Sequence, residues 1–402
     1  MAYPAYPLRQ TSSPPADEQM RKLPAAESPQ SIHRPVHCLL GLPFDAVGMD
    51  TAARRIEASA RLRRPCVLTT PNVNFVATAF ADPAFRDAVM DSHLCVVDGM
   101  PLVWIARLLG LPIRERVAGA DLFDYLAQQP GRPLRIYLFG GPDGAALAAA
   151  TAINRRGGGL QCVGFASPGF GSMEDLSSED ILARINASGA DFLVLALGAQ
   201  KGQAWIARNR ARLTVPVVSH LGAVINFAAG TVQRAPGWMR RSGLEWLWRI
   251  GEEPTLRRRY LHDGALLLSL LVCRVLPLAV YRRLVKLVGW PHAQSRMDSR
   301  RDGATTCISF SGTWREDKLT AARGIFETAR IAETDIALDL SRLTDMDSAF
   351  VGLLMQVYTQ QTRRRAAFTM VAASGRARLL LWLHCAEFLM APSPAKGPPT
   401  AA

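Results

Sequence analysis

Three short runs of this 402-residue chain place carboxylates, guanidiniums and small polar groups just past strand ends. That is where α/β enzymes keep their chemistry. In Thr69-Thr70-Pro71-Asn72-Val73-Asn74, Pro71 sets a rigid turn. Thr70 and Asn72 then offer a hydroxyl and an amide beside a helix start. Such groups suit a sugar or a phosphate, and they equally suit a helix cap. In Val96-Val97-Asp98-Gly99-Met100-Pro101, Asp98 ends a strand and Gly99 lets the chain turn sharply. A carboxylate there can take a proton from an attacking hydroxyl, or cap the helix that follows. The run Arg114-Glu115-Arg116-Val117-Ala118-Gly119-Ala120-Asp121 supplies Arg116, a permanent cation whose fork of donors matches a diphosphate. Asp121 suits a cap for the next helix and is assigned no chemistry.

Other runs carry less. Gly140-Gly141-Pro142-Asp143-Gly144 and Gly198-Ala199-Gln200-Lys201 each follow a strand. The first resembles a phosphate cradle but is neither a dinucleotide fingerprint nor a Walker loop. No HExxH or GxSxG occurs, and the seven histidines form no spaced metal pair. No acidic-x-acidic motif follows a strand of the first domain, so a metal-bound nucleotide is not indicated and no metal cofactor is expected. The seven cysteines include no CxxC pair and suit a reducing compartment.

The elements that must hold these residues are legible as apolar runs. Strands are expected at 66–70, 94–97, 135–139, 161–165, 192–197 and 217–220, with helices between them at 74–82, 102–109, 144–155 and 178–188. Near-continuous apolar strands alternating with helices imply a parallel, Rossmann-like α/β sheet covered on both faces. Residues 167–177 read as a surface loop. No signal peptide is visible, and residues 1–35 and 391–402 read as disordered tails flanking a first domain over 36–233.

Charge is uneven. The net value is +13, and residues 234–300 hold 13 Lys/Arg against five Asp/Glu. Within 234–290, Arg and Trp mix with aliphatic runs, which suits an anionic membrane surface better than nucleic acid. Arg274 and Pro277 interrupt the apolar run 265–281. A central Arg costs about 2.5–3.5 kcal/mol in a bilayer, so an interfacial helix is favoured over a span, with a buried inter-domain helix as the other reading. Residues 291–304 read as a linker. A small α/β module follows over 305–390, with strands at 306–310, 336–340 and 367–372 and helices at 319–331, 348–363 and 377–384.

The ordered series TPN, VDGMP, RVAGADL, LALGAQKGQAWI, GTVQRAP and GLEWLWRIGEEP resembles the WecG/TagA/CpsF glycosyltransferases, family 26, from about Val36 to Tyr260. The resemblance implies an inverting, metal-independent enzyme on the cytoplasmic face of the bacterial inner membrane, bound peripherally. It would move a sugar such as N-acetylmannosamine or a uronic acid from a UDP-sugar to an undecaprenyl-diphosphate-linked saccharide, in cell-surface or exopolysaccharide synthesis. It assigns Asp98 as the base, Arg116 as the diphosphate partner, and Thr70, Asn72 and Gly99 to the substrate pocket. Gln200, Lys201, Gln203 and Asn226 fall at donor-pocket positions. Arg234, Arg249 and Arg257–Arg259 fall in a membrane-binding appendage that closes the site. The family's Pro-Lys-Gln-Glu run is replaced by Gln200-Lys201-Gly202-Gln203, and its Asp near the Gly-rich turn by Asn226.

The C-terminal module resembles a STAS domain, on Leu338-Asp339-Leu340-Ser341 and Asp345-Met346-Asp347-Ser348-Ala349. That likeness implies a protein partner and marks Ser348 as the regulatory hydroxyl, with Ala349 where the phosphorylated residue often stands. A helix cap is the other role for Ser348. The alternative function is a non-catalytic membrane scaffold that recruits proteins through this module.

Overall fold

The computed structural model describes residues 32–169, 171–252, 257–288 and 294–391. The chain opens with an antiparallel hairpin, β1 (Val36–Leu39) and β2 (Leu42–Asp45). Its two strands have four residues each, too short for a periodic signal. Gly41 turns the hairpin at φ +76°, and a Cβ there would lie 2.6 Å from the carbonyl oxygen of Cys385. Residues 32–35, expected in the tail, belong to the fold. Ile32 is fully buried, and Arg34 pairs with Asp45 at 3.1 Å.

A six-stranded sheet follows, made of β3 (Cys66–Thr69), β4 (Leu94–Cys95), β5 (Leu134–Gly140), β6 (Leu160–Ala166), β7 (Phe192–Ala196) and β8 (Val217–His220). The order is β4-β3-β8-β7-β5-β6, and every neighbouring pair is parallel. Alternation along the strands builds two cores. On β5, Ile136 and Leu138 face one core while Tyr137 and Phe139 face the other. On β7, Phe192 and Val194 part from Leu193 and Leu195 in the same way. Helices therefore cover both faces, as the apolar strands require.

Beyond the sheet come two short helices, Gly237–Arg241 and Glu245–Glu252, and then a helix of 32 residues, Arg257–Val288. Residues 271–275 of the long helix form a π turn. Pro277 follows directly; it has no N–H to offer the carbonyl of Cys273, and the wider turn relieves that mismatch. By length and composition this helix could cross a bilayer. Its polar groups tie it to protein instead. Asp263 accepts from Asn74 at 3.0 Å, Arg282 donates to the Leu109 carbonyl at 2.7 Å, and Tyr281 donates to Asp345 at 3.1 Å. Arg274 stacks 3.6 Å above the Trp382 ring and pairs with Glu387 at 3.0 Å. The charge that argued against a span faces the protein.

The C-terminal unit has the sheet order β12-β11-β10-β9. Its strands are β9 (Arg296–Asp302), β10 (Thr305–Trp314), β11 (Asp335–Met346) and β12 (Phe368–Ala373), with helices Leu319–Ile331, Ser348–Arg363 and Gly375–Leu383. β9 corrects the expected linker: Arg296–Asp302 pairs antiparallel with β10. Its polar, charged sequence carries no strand signal because it is an exposed edge, paired with β10 through the backbone and with only Met297 partly buried against the core.

The unit is not a separate bead. One apolar core runs from Ile32 and the hairpin through Phe75, Phe85 and Leu102, past Leu270 and Leu278, to Phe310, Phe350 and Leu380. Asp91 staples the units together by accepting from both Arg210 and Arg363.

Candidate functional site

Three loops meet at the carboxyl ends of β3 and β4. The Asp98 backbone N–H donates to the Pro71 carbonyl at 2.9 Å, and the Val117 N–H to the Val97 carbonyl at 2.8 Å. Asn72 caps the helix Val73–Ala81 by accepting from the Phe75 N–H at 3.2 Å. Thr70 is buried against Gly119, where a Cβ would stand 3.3 Å from the Thr70 hydroxyl and 2.6 Å from Leu221. Only glycine lets the helix Gly119–Ala127 start that close. Gly99, at φ +143°, turns the chain from Asp98 into the helix Met100–Leu108.

Asp98 is thus held between the Thr70–Asn72 loop and Arg116. Burial pushes its carboxyl up to about 6; Arg116 and Arg249 pull down, while Glu245 and Asp121 push up. A group with that affinity is mostly ionised at neutral pH and still takes a proton readily, which suits a general base. Arg116 is itself largely buried. Burial works against its charge, but Asp98, Asp121 and Glu245 outweigh it and hold the guanidinium above its ordinary value. Its fork is filled: one terminal nitrogen donates to Glu245 at 2.8 Å and the other to Asp121 at 2.5 Å.

Asp121 corrects the sequence reading. It sits inside the first turn of Gly119–Ala127, whose cap residue is Ala118, and it caps nothing. Its carboxylate accepts instead from Arg116, from Arg234 at 2.5 Å and from Arg240 at 2.9 Å. Arg234 also pairs with Asp124 and lies over the Phe227 ring. Arg249 lies over the same ring and stands 3.8 Å from Glu245. Beside them is a cavity of about 40 Å³ lined by Asn226, Phe227, Gln233, Glu245, Trp248 and Arg249. Among the described residues, no group of three His, Cys, Asp or Glu side chains is placed to hold a metal.

Residues 37–279, more than half of the chain, match the family model for the glycosyl transferase WecG/TagA/CpsF family. The chain belongs to this family. It is a glycosyltransferase. Similar proteins are the N-acetylglucosaminyldiphosphoundecaprenol N-acetyl-beta-D-mannosaminyltransferases of three bacteria. The Bacillus spizizenii protein is 26% identical over 196 residues, covering 48% of this chain and 74% of its own length. The Bacillus subtilis protein is 28% identical over 196 residues, with 48% and 75% covered. The Staphylococcus aureus protein is 24% identical over 214 residues, with 52% and 82% covered.

The glycosyltransferase brings most of the expected residues together and leaves others aside. Arg234 and Arg249 join the cluster. Arg257 stands exposed at the head of the long helix, and among the described residues no contact ties it to the cluster. Gln200 reaches away to Asp82 at 2.8 Å, and Lys201 holds the 167–177 loop through the Gly171 carbonyl at 2.6 Å. Gln203 is buried with neither amide atom hydrogen-bonded to protein, and Asn226 Oδ1 and His220 Nε2 are in the same condition. Buried polar atoms left unpaired within a protein mark places where a ligand can supply the partner.

Gly202 sits where the fold leaves no room for a side chain. A Cβ there would lie 2.3 Å from the His220 ring, so this helix accepts only glycine against that imidazole. Burial drives His220 down to about 4, which keeps it neutral at ordinary pH.

Ser348 lies far from this chemistry. It is buried, and its hydroxyl is 3.2 Å from His37 Nδ1 on β1. Asp347, not Ser348, caps the helix, accepting from the Phe350 N–H at 2.9 Å. A kinase could reach Ser348 only after the unit had come away from the hairpin.

Arg240, Glu245 and His220 were not singled out from sequence, and Asp121 was read only as a helix cap. The only signal for Asp121 and Glu245 was their place inside the RVAGADL and GLEWLWRIGEEP runs.

Proposed function

We propose that this glycosyltransferase transfers a sugar from a UDP-linked donor to an undecaprenyl-diphosphate-linked saccharide, with inversion, in bacterial cell-surface or exopolysaccharide synthesis. The names of its relatives make N-acetylmannosamine the first donor to try and a lipid-diphosphate N-acetylglucosamine the first acceptor. The observation that carries this reading is Asp98, a carboxylate raised to about 6 and held beside the Arg116 guanidinium.

In this reaction Asp98 takes the acceptor hydroxyl proton as that oxygen bonds to the anomeric carbon. The bond from the same carbon to the diphosphate oxygen breaks, and its electron pair leaves with UDP. Arg116, with Arg234 and Arg249, meets the charge growing on the diphosphate. Arginine supplies all the positive charge in this scheme, and no metal is invoked. Thr70, Asn72 and Gly99 border the base. Gln203, His220 and Asn226 would meet the donor.

The enzyme would work peripherally on the cytoplasmic face of the membrane. Supporting this, Leu268, Val272, Leu276, Val280 and Leu284 are each 43–60% exposed along the long helix, with Arg258, Arg259, Arg283 and Lys286 exposed near its ends. An apolar stripe with basic ends, on a helix docked to protein by its other face, suits a bilayer interface. We read the C-terminal unit, likened to a STAS domain, as a fixed part of the enzyme. The burial of Ser348 and the shared core support that over a free docking module.

The test is to incubate the protein with a panel of UDP-sugars and a short-chain lipid-diphosphate N-acetylglucosamine, and to weigh the products. One added sugar with the wild type, and none with Asp98→Ala or Arg116→Ala, is expected. Full transfer by both variants would overturn the site assignment. No transfer from any donor would overturn the reaction.

A further inference from the structure

Asp121 is where the sheet domain, the arginine of the reaction and the appendage meet. One of its oxygens takes Arg116; the other takes Arg234 and Arg240, which lie 113 and 119 residues away in sequence. All four side chains are mostly sheltered: Asp121 is 7% exposed, and Arg116, Arg234 and Arg240 are 13%, 14% and 23% exposed. In such surroundings a carboxylate shared by three cations cannot be removed without leaving charge unpaired. Asp124 is different: it is 34% exposed, and it pairs with Arg234 rather than with the Arg116 guanidinium. Glu245 closes the Arg116 fork from the appendage side, so the guanidinium plane is fixed from two directions.

We propose that Asp121 is a positioning residue for the transfer: it fixes Arg116 beside Asp98 and, through Arg234 and Arg240, seats the 234–252 segment over the site. Closure of the appendage and the readiness of the base are then set by one group. This rests on Asp98 being the base. The charged groups facing Asp98 are Arg116 and Arg249, which favour its ionised form, and Glu245 and Asp121, which oppose it.

The experiment measures kcat/KM against pH for wild type, Asp121→Asn, Asp121→Glu and Arg240→Gln. It uses the UDP-sugar of the panel that supports transfer and the short-chain acceptor. In Asp121→Asn a negative charge near Asp98 is gone, while Glu245 still keeps Arg116 close to the base. The acidic limb should move down by about half a pH unit or more, and kcat should fall at least about tenfold as the guanidinium, held from one side only, loses its fixed orientation. Asp121→Glu should return the limb toward wild type. Arg240→Gln, which keeps the test alive should Asp121→Asn not fold, removes a cation and should move the limb up. A purely structural residue would lower activity without moving the limb. An unmoved limb in the folded variants, or wild-type kcat in Asp121→Asn, overturns the inference. Failure of the underlying reading looks different: no wild-type limb near pH 6, or an active Asp98→Asn.

Discussion

At the scale of residues, the proposed base costs the fold stability. The Asp98 carboxyl is raised, with burial as the main cause, so the folded state binds its proton more tightly than the unfolded chain does. The wild type therefore gives up stability from this group as pH rises from about 4 through about 6, and above that window the whole cost is present. Asp98→Asn removes a charge that the fold holds unwillingly. It should abolish transfer and yet stabilise the protein by on the order of 2 kcal/mol at pH 8. Thermal unfolding at several pH values checks this: the gain should shrink toward nothing near pH 4. Asp98 and Arg116 were legible because each lies in a short motif next to a strand. Asp121 was not, because its meaning depends on Arg234 and Arg240, which only the folded chain brings to it.

At the scale of elements, the six sheet strands were legible from their apolar runs to within about two residues. The hairpin and β9 were not. The hairpin strands are too short, and β9 is an edge whose charged side chains say nothing of backbone pairing. The long helix was read in two ways, as interfacial and as packed between domains. Its buried face, with Asp263, Leu270, Val275, Leu278 and Ala279, packs against both units, while the Leu268–Leu284 stripe stays exposed. A helix of 32 residues is about 48 Å long, enough for broad contact with a bilayer plane. Leu268→Glu, Leu276→Glu and Leu284→Glu together should cut flotation with anionic phospholipid vesicles at least about tenfold. Transfer to the short-chain acceptor should persist. Unchanged flotation would reject the interfacial role of this stripe.

At the scale of the whole molecule, the C-terminal unit shares its core with the hairpin, the helices after β3 and the long helix. A boundary near residue 304 was read from polar sequence, but burial and not polarity decides whether a unit can part from its neighbour. Gly352 shows how close the join is: a Cβ there would lie 2.5 Å from the Val36 carbonyl oxygen. Urea unfolding of the full chain should therefore be one transition by tryptophan fluorescence and by circular dichroism. A chain ending at residue 290 should be insoluble or unfolded. Two separated transitions, or a soluble and active truncated enzyme, would show the units to be independent. In the proposed reaction this architecture holds one carboxylate beside one guanidinium. The most direct test is the pH dependence of transfer by wild type and Asp98→Asn, with the same UDP-sugar and short-chain acceptor. We expect wild-type kcat/KM to fall below a limb near pH 6 and Asp98→Asn to add no sugar at any pH. Transfer by Asp98→Asn at a rate comparable to wild type would contradict the account.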